Sequence, residues 1–104
     1  MQVDTTKGEG RIQIRVRGDV DERGAEEMKA SFRSLSLSGL REVVVDFGGV
    51  THIGSAGIGK LLVFYKDLAI HGATLQVVNV PADIHLILCE MKLDTIFTVT
   101  KKAS

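Results

Sequence analysis

The chain has 104 residues, 44% of them hydrophobic and 25% charged, with one Tyr and no Trp, the make-up of one globular domain over residues 1–104 with an aliphatic core rather than of a disordered or fibrous chain. Thirteen Lys and Arg balance thirteen Asp and Glu, so no strong long-range field draws in nucleic acid or an acidic membrane surface, and neither is expected as a partner. A lone cysteine, Cys89, leaves no internal disulfide, and no signal segment or apolar run near the roughly 20 residues that span a bilayer is present, so a cytoplasmic location without membrane insertion is expected.

The opening MQVDTT is a short strand candidate that KGEG can fold back as an antiparallel hairpin partner. In RIQIRVRG, Arg11 to Gly18, the residues Ile12, Ile14 and Val16 alternate with Gln13, Arg15 and Arg17, the period of a strand with one apolar face. From Asp21 to Leu35, Ala25, Met28, Phe32 and Leu35 recur at helical spacing, with Asp21 placed to cap the helix. SLSLSG ends it, and the β-branched run REVVVDF predicts a strand covered on both faces or central in a sheet.

Ser55 to about His71 repeats the helical pattern through Ile58, Leu61, Leu62, Tyr65, Leu68 and Ala69, and Gly72 closes it. TLQVVNV reads as a strand. Pro81 suits the first turn of a third helix with Ile84, Ile87, Leu88 and Met91 on one face, and TIFTV reads as the last strand. Strands alternating with helices predict an α/β fold, a mixed but mostly parallel sheet of about five strands with three main helices.

GSAGIGKLL, Gly54 to Leu62, fits the phosphate-loop spacing G-x-x-x-x-G-K. Such a loop needs a Ser or Thr after the lysine to hold Mg²⁺, and Leu61 stands there. On a helical wheel Leu61 joins the apolar stripe while Lys60 turns to solvent. Nucleotide chemistry is therefore not expected, and neither is a cofactor.

A different use of the same helix start fits better. Ser55, followed by Ala56 and Gly57, stands beside unpaired backbone N–H groups and the positive end of the helix dipole, where its hydroxyl is expected to cap them. Helices leaving the carboxyl ends of parallel strands should gather Asp19 to Asp21, Thr51 to Ser55 and Asn79 to Asp83 along one edge that a partner can read.

With these residues in view the chain resembles the STAS domains, and especially the bacterial anti-sigma factor antagonists. RGDVDERGAEEMKASF is similar to the family's Gly-acid-aliphatic-Asp entry to its first helix. VVVDFGGVTHIGSAGIGKLLVFYK resembles its apolar strand, serine loop and second helix, and GATLQVVNVPADIHLILCEMKLDTIFTV its closing strand, helix and strand. The resemblance implies a binding module rather than an enzyme. Such a module docks on an anti-sigma factor that is also a serine kinase, is phosphorylated on the serine matching Ser55, which weakens docking, and is restored by a serine phosphatase. Asp19, Asp21, Thr51, His52, Gly54, Ala56 and Gly57 are the partner-binding residues this implies around Ser55. A phosphate there would lie at the helix's positive end, where it costs the fold little while changing the contact surface.

Two departures stand out. The family's Asp before the serine is Gly54 here, and the chain stops at Ser104 where many relatives carry a further helix, so the surface under that helix is expected to be open or to meet a second copy as a homodimer. STAS domains that work without phosphorylation, as signalling scaffolds or small subunits of lipid transporters, are the alternative. His85 and Cys89 lie four apart on the third helix without the further ligands that structural zinc needs, so no metal is expected. Cys89 reads as a packing residue on the helix flank, His85 as solvated, and Met28 and Met91 as core.

Overall fold

The computed structural model describes residues 1–103. The elements run β1 (Gln2–Gly8), β2 (Arg11–Val20), α1 (Glu22–Arg33), β3 (Glu42–Ile53), α2 (Ser55–Ile70), β4 (Thr74–Val80), α3 (Ala82–Glu90), a 3₁₀ turn (Leu93–Thr95) and β5 (Thr98–Lys101). They form one five-stranded sheet in the order β1-β2-β3-β4-β5. The hairpin pair β1–β2 is antiparallel, and the other three pairs are parallel.

Each parallel crossover steps one strand in the same direction, and right-handed crossovers of that kind put every helix on the same side. The core agrees. Ile12, Ile14 and Val16 of β2, Val43, Val45 and Phe47 of β3, and Leu75 and Val77 of β4 pack into one cluster with Met28, Phe32, Leu61, Phe64, Ile84 and Leu88 from the three helices. The opposite face carries Gln13, Arg15 and Arg17 in solvent. REVVVDF is thus central in the sheet but covered by helices on one face only, and Val44 on the other face is shielded between Gln13 and Gln76, its partners in register.

Several details correct the sequence reading. β3 continues past Phe47 to Ile53, and β5 begins at Thr98 because Leu93–Thr95 coils into the 3₁₀ turn. Pro81 stands one residue before α3, in an extended conformation, with its carbonyl accepting from the His85 N–H at 2.8 Å. Only Ile84 and Leu88 of α3 are buried, whereas Ile87 and Met91 are largely exposed, because a nine-residue helix presents just one row to the sheet. In α2 the buried row is Ile58, Leu61, Phe64 and Leu68. Phe64 takes the place expected for Tyr65 and Ala69, stacking on Phe32 with ring centroids 4.0 Å apart, while Tyr65 is half-buried and Ala69 exposed. Met28 is core, as expected.

Candidate functional site

β2 and β3 stay paired to their carboxyl ends, which sets Asp19 opposite His52 and Val20 opposite Ile53. The exposed Asp19 carboxylate and His52 Nδ1 lie 3.2 Å apart. Immediately beyond, the Gly54 N–H donates to the Val20 carbonyl at 3.1 Å, fixing where the chain leaves the sheet. Gly54 is the N-cap of α2, with φ −97° and ψ 177°, and its carbonyl accepts the first helical bond from Ile58 at 3.2 Å. On the neighbouring strand Asp21 caps α1 as expected, its Oδ1 accepting from the Gly24 N–H at 2.8 Å.

Two glycines hold these helix starts against the sheet. A Cβ on Gly57 would lie 2.7 Å from Val20 Cγ1 and 2.9 Å from Ile53 Cγ1, and one on Gly24 would lie 2.5 Å from the Asp19 carbonyl oxygen. Only a residue without a side chain lets both helices enter this close. Around this edge Thr51, His52 and Ser55 are exposed, Gly54 and Ala56 half-buried, and Gly57 buried.

Ser55 is the first helical residue and not the cap, and the helix start has no side-chain cap at all. This corrects the expected capping role, since a hydroxyl caps from the position before the helix, which Gly54 occupies. Ser55 therefore presents its side chain outward beside first-turn N–H groups that have no helical acceptor. Ser55→Ala is expected to change stability by less than about 0.5 kcal/mol. Gly54→Asp should add about a few tenths of a kcal/mol or more through a new cap, because the nearest atom to a Cβ at Gly54 is 4.0 Å away. Urea unfolding measures both, and a loss above about 1 kcal/mol in Ser55→Ala would show that the hydroxyl does cap.

The third expected segment does not join this edge. β3 pairs with β4 only as far as Asp46 opposite Val78, whereas its pairing with β2 runs on to Ile53, so Asn79 to Asp83 are set back along the sheet. Asn79, held at φ 57°, donates from Nδ2 to Asp46 at 3.3 Å. The edge is thus a two-strand structure.

Lys60 is not free in solvent as its wheel position suggested. Its side chain is 28% exposed and its Nζ lies 3.4 Å from Glu26 across α1 and α2, while Leu61 is fully buried. The acidic rim formed by Glu22 and Glu26 was missed from the sequence because it depends on how α1 lies beside α2. On α3, His85 is half-buried beside Cys89, with Nδ1 3.7 Å from Sγ. Burial raises the Cys89 thiol above its ordinary pKa, and the nearby Asp94 carboxylate raises it further. Among the described residues no three His, Cys, Asp or Glu side chains come together as a metal group, and no helix is long and apolar enough to cross a membrane.

The family model described as "Mlab, STAS domain" matches residues 3–100. Among solved structures, an anti-sigma factor antagonist from Mycobacterium paratuberculosis superposes with a TM-score of 0.83 at 19% identity, over 95% of this chain and 84% of that one. The Bacillus cell fate determinant SpoIIAA in its phosphorylated form gives a TM-score of 0.76 at 14% identity over 99% and 92%. The unphosphorylated form of the anti-sigma factor antagonist SpoIIAA gives 0.73 at 14% over 99% and 90%. At these identities the likeness is one of fold.

Proposed function

The chain belongs to the STAS family, and from that premise we propose that it is an anti-sigma factor antagonist: a regulatory module that docks on an anti-sigma factor with serine kinase activity and is switched by phosphorylation of Ser55. The observation that carries this reading is the placement of Ser55, exposed on the first turn of a helix whose start is pinned by the Gly54–Val20 hydrogen bond and by Gly57 against Val20 and Ile53. A phosphate there meets the helix's positive end and leaves the core untouched, so the fold tolerates it while the outer surface gains about −1.5 to −2 charges. Asp19, Asp21, Thr51, His52, Gly54, Ala56 and Gly57 frame the serine and form the docking edge. ATP and the transfer chemistry reside on the kinase, and a serine phosphatase resets the switch.

Gly54 favours a second reading. The family's carboxylate before the serine is absent, and a STAS module that works unphosphorylated, as a signalling scaffold or the small subunit of a lipid transporter, has no need of it. Incubation with the serine kinase of its own pathway and ATP, followed by tryptic mass spectrometry, separates the two. One phosphate is expected on the peptide Glu42–Lys60, localised to Ser55 rather than Thr51 and lost in Ser55→Ala. Ser55→Asp should fold as the parent does and bind the kinase more weakly. Kinase binding without any phosphate would instead support the second reading, and Gly54→Asp would then test whether that carboxylate was the missing part.

A further inference from the structure

The groove between α1 and α2 has a charge pattern and a shape that are complementary to themselves. One end is lined by Glu22, Glu26 and Ala56, and the other by Lys29, Arg33 and Asp67, with Lys60 and Val63 lining both. Glu22, Glu26, Lys29 and Arg33 recur at spacings of four, three and four, so they share one face of α1. They are also symmetric about that helix's middle: Glu22 and Arg33 are equally far from it, and so are Glu26 and Lys29.

The middle of α1 can be located on α2. Glu26 meets Lys60 in an ion pair and Phe32 stacks on Phe64, so the point between Glu27 and Met28 lies level with Leu61. Gly59 and Val63 stand on either side of Leu61 at equal distance along the helix. Val63 is an exposed apolar side chain, 52% accessible, and nothing lies within 4 Å of where a Cβ on Gly59 would be. No neighbour within the chain requires glycine there, although glycine in a helix interior costs about 1 kcal/mol relative to alanine.

We propose that this groove is a two-fold interface between two copies of the chain, packed with their helices antiparallel about the level of Leu61. In that arrangement Glu22 faces Arg33 of the second copy and Glu26 faces its Lys29, while Val63 of each copy fills the space above Gly59 of the other. The same surface patch serves both partners, as a closed two-fold dimer requires. Its charged rim selects the antiparallel register over the parallel one, which would set acid against acid and base against base. Because the rim is exposed, the association weakens with salt. This inference does not depend on modification of Ser55.

Sedimentation velocity on the full chain tests it without any other partner. The parent is expected to dimerise with rising concentration at low salt, and Val63→Asp to dimerise at least about tenfold more weakly. Glu22→Lys with Glu26→Lys gives one variant, and Lys29→Glu with Arg33→Glu gives another. Each should sediment alone as a monomer with parent-like circular dichroism, and an equimolar mixture of the two should restore the dimer. A parent that stays monomeric to about 1 mM, a dimer indifferent to Val63→Asp, or a mixture that stays monomeric would overturn the proposal and leave the groove to a different protein.

Discussion

Phe64→Ala is expected to remove about 3–5 kcal/mol of stability. Phe64 is 3% exposed and stacks on Phe32 with rings 14° from parallel, so its removal opens a void between α1 and α2 in addition to the lost transfer energy. Neither helix can close the void by sliding, because Gly57 and the Gly54–Val20 hydrogen bond fix the start of α2 and Asp21 fixes that of α1. Proteins of this size commonly have about 5–15 kcal/mol in total, so the variant should be near the edge of folding at 37 °C. Urea titration should show the midpoint falling by about 2–3 M. A shift below about 1 M would mean that the two helices collapse to fill the gap, against the rigidity argued for their starts.

The second large effect separates two glycines that stand two residues apart in one helix. Gly57→Ala is expected to destabilise by about 1–3 kcal/mol even after the better helix propensity of alanine is counted, because the added methyl must displace Val20 and Ile53, both buried side chains with no room to retreat. Gly59→Ala gains the same propensity and meets open space, so it should stabilise by about 0.8–1 kcal/mol, or roughly 4–8 °C in Tm for a chain of this length. Thermal melts at low micromolar concentration keep self-association out of the comparison. Equal effects of the same sign at both positions would contradict the packing described for the start of α2.

Propensity and periodicity made most of the fold readable. β2 alternates so cleanly that its buried face, Ile12, Ile14 and Val16, is the one expected, and Asp21 caps α1 where a side-chain oxygen was expected to. What failed depended on tertiary placement. A helical wheel marks Phe64 and Tyr65 as neighbours on an apolar surface, and only the arrival of Phe32 from α1 decides which of them is buried. Ser55 was assigned a cap because serine favours that position, yet the hydrogen bond from Gly54 to Val20 starts the helix one residue earlier than that role allows. The grouping of Asp19, His52 and Ser55 at one end of the sheet was legible, since parallel strands bring their carboxyl ends together. It was not legible for Asn79 to Asp83, because sequence does not reveal that β3 outruns β4.

Strand order that copies chain order has a kinetic consequence. Every strand pairs with its neighbour in the chain, so each pairing closes a single crossover and none waits on a more distant strand, and β2, α1 and β3 can assemble first with β4 and β5 added in turn. The hydrogen bonds slowest to exchange with solvent should then lie in the central β2–β3 pair, while the edge strands β1 and β5 open first. Ser55 is anchored directly to that last-opening unit through Gly54 and Val20. A group added to its hydroxyl would thus rest on the least yielding part of the molecule, changing what the surface offers without loosening what lies beneath it.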